Sequence, residues 1–499
     1  MVFSSVIFFW CFLPTVLIIY FIASFALKGF PKAAQYVKNA VLLLASLAFY
    51  ALGGYKYILL LGAVLIINYL GGIFVHTFLE KRNAAKAFMI LTVICDLLIL
   101  FCFKYLNLFV MLSENIVFAV NEKAFAESWN NILTLKRTGA FDFATVILPI
   151  GISFYTFQSI SYVADVYRKE AKVQKNFADF ALYVSFFPQL IAGPIVKYSD
   201  IDTQIRSRRE TVKLFADGAG RFIYGLAKKV LIANTMAEVA DSIWGLEGGG
   251  IGAGIAWLGA VSYTLQIYFD FSGYSDMAIG LGKMFGFEFK ENFNYPYIST
   301  SVQEFWRRWH ISLSTWFKEY VYIPLGGSRC SMGKTVRNIF IVFLLTGIWH
   351  GANFTFLLWG IMYALFLIIE RLFLGKILKK KYIKPIGFVY TLFVVIIGWV
   401  LFRSGDILQA FSFIGEMFSK GAGEYSILSF ISMRFAIALV FGIVLSTPIY
   451  PAIKKKVLKN ETVAGILGFF ETVWQIVLLI LSILVVVSGS YNPFIYFQF

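Results

Sequence analysis

Two histidines are the side chains of this sequence best suited to acid–base chemistry. His310 lies in VQEFWRRWHISLSTWFKEYVY (302–322), and His350 lies in GIWHGAN (347–353). A histidine with few partners can act as a general base, which removes a proton from an attacking hydroxyl. No thiol, carboxylate or further histidine lies at metal-ligand spacing near either ring, so we expect no metal site. His76, the third histidine, is expected to be structural.

The surroundings of His350 leave two interpretations open. The loops before and after the hairpin 338–374 are both basic, so His350 must lie at the inner bend of the hairpin, within the bilayer. A neutral imidazole there is often an ordinary core residue. Gly351 and Ala352 leave room for a substrate, however, and Asn353 is a candidate substrate ligand. Because the sequence lacks the nucleophile elbow of a Ser–His–Asp hydrolase, a histidine base suits acyl transfer.

Ionisable side chains also interrupt the apolar segment YFDFSGYSDMAIGLGK (268–283). Asp270 and Tyr274 are four residues apart and share a helix face, and Asp276 follows them. An Asp at the centre of a spanning helix costs about 2.5 to 3.5 kcal/mol, so it indicates function or specific pairing. Two interpretations are equally open: a hydrogen-bonded cluster between helices packed through nearby glycines, or the lining of a substrate site.

The segment 302–322 around His310 is amphipathic and too charged to span a membrane. We expect it to lie at the cytoplasmic interface. By default its tryptophans, Trp309 and Trp316 among them, form an interface belt, and Arg307 and Arg308 form a positive-inside anchor. The alternative is that these four side chains bind an acyl donor.

The composition requires a membrane protein. Of 499 residues, 59% are hydrophobic and 14% are charged, against about 45–50% and about 25% in soluble domains. These values exclude a cytosolic enzyme, a secreted disulfide scaffold and a singly anchored ectodomain. The net charge is +16, but the basic residues form short clusters between apolar runs. Such clusters are typical of cytoplasmic loops and not of nucleic-acid binding. The four cysteines show no disulfide spacing.

We predict an all-α, polytopic integral membrane protein with about twelve spanning helices. Placing the basic clusters in the cytoplasm puts both termini outside, and the first apolar run is expected to be a retained span. The predicted spans cover residues 2–27, 39–53, 57–79, 87–104, 145–167, 221–244, 255–285, 338–350, 354–374, 386–403, 427–451 and 463–489.

A further apolar run, 177–196, lies between two basic clusters. It contains Pro188, Gln189, Gly193 and Pro194 within SFFPQLIAGPI. Irregular backbone at membrane depth is tolerated only where protein or a water-filled cavity covers it. We therefore expect this run to enter the membrane and turn back, as a re-entrant wall of an internal chamber.

Several of these segments together are similar to one known family. Residues 268–297, FWRRWHISLSTWFKEYVYIPLGGSR (305–329), GIWHGAN, FFPQLIAGPI (186–195) and YNPFIYFQF (491–499) resemble the membrane-bound O-acyltransferases, in their bacterial alginate O-acetyltransferase branch. The similarity extends over essentially the whole chain. It implies that His310 and His350 are the functional histidines of that family, with the membrane-embedded His350 in the catalytic role.

The resemblance also implies what such a protein does. It implies an enzyme of the bacterial plasma membrane, without a bound cofactor, whose chamber opens to cytoplasmic acetyl-CoA and to an acceptor outside. An extracytoplasmic partner of the SGNH type would then modify an exported polysaccharide. Arg307 and Arg308 lie on the predicted cytoplasmic side, where arginine can pair with CoA phosphate groups. His350 would deprotonate the acceptor hydroxyl while His310 positions the thioester.

The chain is expected to be one domain, with N-terminal spans at 1–144, an acyltransferase core at 145–374 and C-terminal spans at 385–499. Two alternative functions remain open. D-alanyl transfer to teichoic acid from a carrier-protein thioester uses the same histidines, although the long C-terminal extension fits the polysaccharide branch better. A transporter or flippase also needs a polar-lined chamber, although no detectable repeat relates the two halves of the sequence.

Overall fold

The computed structural model describes residues 2–105, 149–191, 193–246, 250–420, 423–457, 461–489, 491–493 and 495. Within these ranges the regular secondary structure is entirely helical, as the sequence predicts. Up to residue 105 the chain forms a π-helical turn, Phe8–Phe12, and four α-helices. They are α1 Leu13–Ala26, α2 Pro31–Gly54, α3 Ile58–Thr77 and α4 Arg82–Lys104, with a 3-10 turn, Tyr55–Tyr57, between α2 and α3.

The middle of the described chain contains the most deeply buried helices. They are α5 Ile152–Arg168, α6 Phe177–Ser185, α7 Phe187–Leu190, α8 Tyr198–Arg206, α9 Val212–Ala227, α10 Asn234–Trp244 and α11 Ala253–Met284, and the π-helical segment Lys228–Ala233 joins α9 to α10. Every residue of α5 from 152 to 166 is buried. At 1.5 Å per residue, the 32 residues of α11 extend about 48 Å, which exceeds the hydrocarbon thickness of a bilayer.

The last part of the described chain begins with two short helices around His310. Its helices are α12 Val302–Arg308, α13 Ile311–Phe317, α14 Met332–His350, α15 Phe354–Ile369, α16 Gly375–Leu378, α17 Lys384–Arg403, α18 Ile407–Met417, α19 Met433–Leu445, α20 Ile449–Val457 and α21 Glu461–Val487. Shorter segments are the 3-10 turns Pro296–Ile298, Lys381–Ile383 and Ile427–Phe430 and the π-helical turns Lys318–Tyr322 and Glu370–Leu374.

Seven helical stretches of the described residues are long and apolar enough to cross a membrane. They are Phe8–Ala26, Pro31–Thr77, Arg82–Lys104, Met332–His350, Phe354–Leu378, Lys381–Arg403 and Ala464–Val487. The second stretch contains 47 residues and consists of α2 and α3. Since about 20 residues cross a bilayer, each of these two helices is long enough to cross alone. The protein is therefore a multi-pass membrane protein.

The predicted span 427–451 is wrong as a single straight helix. Residues 427–430 form a 3-10 turn, and α19 and α20 are bent by 64° relative to each other. The break contains Pro448, which cannot continue a helix because its nitrogen carries no hydrogen. If the bent pair is one broken span, the stretches that can cross number eight among the described residues.

Three other predicted spans correspond to helices that the protein itself encloses. The span 145–167 corresponds to α5, and its residues 145–148 lie outside the described part of the chain. The span 221–244 corresponds to the end of α9 and to α10, and the span 255–285 corresponds to α11. A helix that is surrounded by protein does not need the uniformly apolar surface that lipid requires. The total of about twelve spans stays a prediction.

The predicted re-entrant segment is a broken helix covered by protein. After α6 and the four-residue α7, which contains Pro188 and Gln189, the chain is irregular and buried. A Cβ atom on Gly193 would lie 2.6 Å from the Cα atom of Gln189, so this return of the chain requires glycine. The two cavities lined by Ile191 measure about 10 Å³ each. The segment, Pro194 included, is thus a packed wall.

The segment 302–322 is not one interfacial helix. It is divided into α12, α13 and a π-helical turn, with His310 at the first break. Trp306, Trp309 and Trp316 are all buried. Their interpretation as an interface belt is wrong, because these rings pack on aromatic side chains inside the protein and do not face the headgroup region.

Buried hydrophobic side chains form two clusters. The first cluster includes Phe157 and Trp349, and the second includes Phe271, Trp359 and Phe402. Near the two ends of the described chain, the amide of Asn492 donates to the backbone oxygen of Ser4 at 3.2 Å. The placement of both termini outside the membrane stays a prediction.

We expect Gly347→Ala to destabilise the hairpin of α14 and α15. A Cβ atom on Gly347 would lie 2.5 Å from the backbone oxygen of Phe356. Overpacking of this kind costs about 1 to 3 kcal/mol. Gly333 is a matched control in the same helix, because a Cβ atom there meets nothing within 4 Å. Thermal unfolding in detergent should show a lower midpoint for Gly347→Ala only; equal midpoints for the two variants would contradict this packing.

Candidate functional site

His310 and His350 lie at the seam between the two hydrophobic clusters. The ring centroid of His310 is 4.6 Å from that of Phe271, in the second cluster, and 6.3 Å from that of Trp349, in the first. The ring of His350 is 5.0 Å from that of Trp349 and 4.9 Å from that of Phe402. Trp349 therefore contacts both imidazoles, and the two candidate catalytic groups share one site.

The backbone of His310 adopts an unusual conformation. Its φ angle is +42°, in the left-handed region, and the residue immediately precedes α13. Histidine is more often found in this region than most residues, but the conformation still costs of order 1 to 3 kcal/mol. Such strain persists only where surrounding contacts fix it, and it is frequent at active sites.

An amide that the sequence analysis missed orients the His310 ring. The Oδ1 atom of Asn292 lies 3.2 Å from Nδ1 of His310 and accepts the Ser312 backbone N–H at 3.1 Å. Because a backbone N–H only donates, this atom is an acceptor oxygen, so Nδ1 of His310 carries the proton and donates. The Ser312 hydroxyl also donates to Oδ1 of Asn292, at 2.9 Å. The same hydroxyl accepts the N–H of Ile195, which links the re-entrant segment to the site.

This arrangement leaves Nε2 of His310 as the unprotonated nitrogen. Among the described residues, Nε2 has no hydrogen-bond partner, and the side chain is buried. Burial lowers the pKa of His310, which lies outside the candidate spans, to about 3. The ring is therefore neutral near pH 7, and Nε2 can accept a hydrogen bond from a reacting group.

His350 is the last residue of α14, and aromatic rings surround it. In addition to Trp349 and Phe402, the ring of Trp359 lies 5.0 Å away and that of Phe356 lies 6.3 Å away. Only 6% of the residue is exposed. The end of one other helix, α4, meets the same point, because Lys104 and Tyr105 donate to the backbone oxygens of Trp349 and Ile348.

A large groove leads to this site from one side of the protein. Its volume is about 1300 Å³, and its walls come from α4, α5, α14 and the π-helical turn Lys318–Tyr322. Trp316, Phe157 and Trp349 line it as a continuous aromatic row, with ring distances of 3.9 Å and 5.5 Å. Charged side chains also line the groove; they are Arg168, Glu170, Lys197 and Glu319.

The carboxylates of the segment 268–283 are held in ion pairs. Asp270 pairs with Lys229 at 2.7 Å, and both side chains are 2% exposed. Its second oxygen accepts the backbone N–H of Ile495 at 2.9 Å. Asp276 pairs with Arg221 and Lys228, at 2.8 Å and 2.6 Å.

The tyrosine of this segment is packed in the same way. The Tyr274 ring stacks on Phe3 at 4.5 Å. The contacts of Asp270, Asp276 and Tyr274 favour the interpretation as a cluster between helices over the lining of a substrate site.

Three of the remaining predicted ligands, Arg308, Asn353 and Trp309, have structural partners. Arg308 pairs with Glu304 at 2.9 Å, whereas Arg307 is exposed. Asn353 caps α15 by accepting the N–H of Thr355 and donates to the backbone oxygen of Gly405. Trp309 packs 4.8 Å from Trp399, in the second cluster. Of the predicted donor ligands, Trp316 is the one that lines the groove.

Comparison with known proteins supports the family that the motifs indicate. Residues 87–404 match the membrane-bound O-acyltransferase (MBOAT) family, and this range includes both histidines, Asn292 and the groove. The chain belongs to the MBOAT family. It is therefore an enzyme, an O-acyltransferase of the branch that contains the alginate O-acetylases.

Curated relatives agree with this assignment. The probable alginate O-acetylase AlgI of Pseudomonas aeruginosa is 45% identical over 429 residues, which cover 86% of this chain and 77% of the relative. The peptidoglycan O-acetyltransferase of Helicobacter pylori is 32% identical over 543 residues, covering 100% of this chain and 98% of that protein. The teichoic acid D-alanyltransferase of Bacillus subtilis is 27% identical over 252 residues, or 47% of this chain and 61% of the relative.

Two residues of this MBOAT site were not found by sequence reasoning. Asn292 lies in ENFNYPYI, within the matching segment 268–297, but its partner follows 18 residues later. Its only signal is an amide in the loop that follows the buried helix α11, which ends at Met284. Lys104 ends an apolar run, where a lysine ordinarily indicates a side chain that extends to the membrane surface.

We expect Asn292→Ala to reduce acyl transfer about 100-fold, as misplacement of a reacting group does. The substitution removes the oxygen that holds both His310 and Ser312. Asn294→Ala, at an exposed position of the same loop, is the control. The test measures the turnover of both purified variants, after thermal unfolding has shown that their midpoints match that of the wild type. Full activity in folded Asn292→Ala would exclude the orienting role of Asn292.

Proposed function

We propose that this protein relays an acetyl group from cytoplasmic acetyl-CoA across the bacterial plasma membrane for O-acetylation of an extracytoplasmic polysaccharide, with His350 as general base. The observation that carries the proposal is the groove, which joins charged side chains to Trp349, the ring beside His350. The names of two relatives, an alginate O-acetylase and a peptidoglycan O-acetyltransferase, support the acyl group and the class of acceptor.

The groove has the shape and polarity that the donor requires. Coenzyme A carries phosphate groups at one end and the thioester at the other, with a long chain between them. Arg168 and Lys197 belong to basic clusters that the positive-inside rule assigns to the cytoplasm, and both line the groove. Arg307 and Arg308 do not line it, so Arg168 and Lys197 are the better candidates for phosphate contacts.

The proposed reaction uses the two histidines differently. His350 takes the proton of an acceptor hydroxyl as the hydroxyl oxygen attacks the thioester carbonyl. The new C–O bond forms, the C–S bond breaks, and the CoA thiolate leaves and takes the proton from His350. His310 remains neutral, and its Nε2 atom accepts a hydrogen bond that positions the reacting groups.

The acceptor side of the proposal follows from the family resemblance. We propose an SGNH-type extracytoplasmic protein as the partner that completes polysaccharide modification. We also propose that residues 1–499 act as one domain, with spans at 1–144, a core at 145–374 and further spans at 385–499. The site at the seam supports this, because both hydrophobic clusters contribute to it.

The second candidate is D-alanyl transfer to teichoic acid from a carrier-protein thioester. The Bacillus subtilis D-alanyltransferase favours it, but the similarity covers less than half of this chain. The acetyl-transferring relative from Helicobacter pylori aligns with the entire chain. The two activities differ in the thioester that the protein accepts, which a direct assay distinguishes.

We expect His350→Gln to lower transfer from radiolabelled acetyl-CoA by roughly 10² to 10⁴-fold, the usual contribution of a general base. His76→Gln, at an exposed position, is the control. The assay uses purified protein in nanodiscs and scores both thioester hydrolysis and label transfer to an extracytoplasmic partner. Undiminished transfer by His350→Gln refutes the base role. Turnover only with a D-alanyl carrier thioester favours the second candidate. If the protein turns over neither this thioester nor acetyl-CoA, the result favours a transporter.

Narrowing the groove is expected to weaken donor binding. Ile94 lines the groove from α4 and is 47% exposed, so a larger side chain fits there without disturbing the core. We expect Ile94→Trp to raise KM for acetyl-CoA several-fold with little change in kcat, as loss of uniform binding does. Leu91→Trp is the matched control, because Leu91 is exposed on α4 without lining the groove. An equal KM in both variants would place the donor elsewhere.

A further inference from the structure

The helix that carries His350 ends inside the protein, where its last carbonyl groups need donors. The last four C=O groups of an α-helix have no partner within the helix. After α14 the chain turns away at Gly351, whose backbone is extended and whose N–H donates to the oxygen of Ile348 at 3.2 Å. The backbone oxygen of Trp349 does not receive this bond, so another group must supply its donor.

Two consecutive side chains at the end of α4 provide these donors. The ammonium group of Lys104 donates to the backbone oxygen of Trp349, and the hydroxyl of Tyr105 donates to that of Ile348 at 2.6 Å. Lys104 and Trp349 are 245 positions apart in the sequence. A cation is also favourable at a helix C-terminus, where the helix dipole is negative.

Lys104 contacts the site through two further groups. Its ammonium nitrogen lies 3.3 Å from the hydroxyl of Ser153, in the first turn of α5, and 5.5 Å from the ring centroid of Trp349. The neighbouring Phe154 ring lies 5.8 Å from Trp349 and 6.4 Å from His310. One side chain thus joins α4, α5 and α14 at the point where the two histidines meet.

We propose that Lys104 and Tyr105 are positioning residues, which fix the last turn of α14 and thereby hold the His350 imidazole in its reactive orientation. The inference rests on the proposed function, since it concerns the same base. It assigns no contact between Lys104 and a substrate, whereas Tyr105 also lines the groove. The effect of Lys104 should therefore appear in kcat and in the exposure of His350, and not in the affinity for the acyl donor.

The kinetic test compares four variants in nanodiscs with acetyl-CoA. We expect kcat to fall about 100-fold for Lys104→Met, as misplacement of a reacting group does, and less for Tyr105→Phe, which removes one oxygen. KM should stay within a factor of about two for Lys104→Met, because a positioning loss spares ground-state binding. Lys104→Arg retains charge and donors and should recover part of the activity. Lys86→Met, exposed on the same helix, is the matched control.

A second measurement reports the accessibility of the His350 imidazole and does not depend on turnover. Diethyl pyrocarbonate modifies accessible imidazoles, and this chain has only three histidines. His76 is exposed, whereas His310 and His350 are buried, so mass spectrometry can compare each site within one sample. In Lys104→Met and Tyr105→Phe we expect modification of His350 to rise several-fold relative to His310.

The outcomes separate this inference from the proposed function. Wild-type kcat and unchanged His350 modification in Lys104→Met would overturn the positioning role, as would a rise in KM alone. If Lys104→Met does not fold, Tyr105→Phe decides by kcat and by the modification of His350: wild-type values of both would overturn the positioning role. If His350→Gln keeps full transfer, the proposed base role fails. The modification measurement then still reports whether Lys104 and Tyr105 fix the end of α14.

Discussion

A helix that ends inside a membrane protein leaves carbonyl groups that need hydrogen-bond donors, and the packing around His350 depends on supplying those donors. The end of α14 must carry an imidazole into the interior and still satisfy its own backbone. Donors from Lys104 and Tyr105 do so. Because unsatisfied groups at this depth cost several kcal/mol each, the position of α4 relative to α14 follows from the need to end α14 there. The close approach of α15 at Gly347 returns the chain from the same point.

A buried ion pair is a second constraint on how the helices pack. Lys229 and Asp270 form an ion pair in the interior, and Asp270 also accepts a backbone N–H from the C-terminal segment. Removal of one member of such a pair leaves an uncompensated charge, which makes the pair a strong constraint on which helices meet. Asn492 extends the same contact region to Ser4, near the N-terminus. The buried ion pair thus holds the C-terminal segment, whereas the histidine site is held by hydrogen bonds from uncharged and cationic side chains together with aromatic packing.

Much of the fold and part of the site could be predicted from the sequence. Long apolar runs predict helices, and prolines with a glycine predict the broken segment 177–196. The two histidines were recognisable because polar residues in apolar surroundings are few. The ion pair of Asp270 was not recognisable, because the sequence pattern of a carboxylate in an apolar helix is the same whether the carboxylate pairs with a lysine or binds a substrate. Asn292 and Lys104 were missed for a related reason: each acts on a residue far along the chain, and no local pattern encodes such a partner. The interpretation of Trp309 and Trp316 as an interface belt was wrong for a different reason. Amphipathic spacing does not distinguish a side chain that faces lipid headgroups from one that faces a protein interior.

The two imidazoles differ in ways that suit different tasks. His310 is held by an amide that fixes its tautomer, in a strained backbone conformation that only surrounding contacts maintain. An amide cannot take up a proton or balance a positive charge, unlike the carboxylate that commonly supports a catalytic histidine base. His310 is therefore suited to accept a hydrogen bond without changing its charge. His350 is held through its backbone, and three aromatic rings surround it in T-shaped contacts. Because the amide of Asn292 suits His310 to a role without a change of charge, the proposed reaction assigns proton transfer to His350 and orientation to His310.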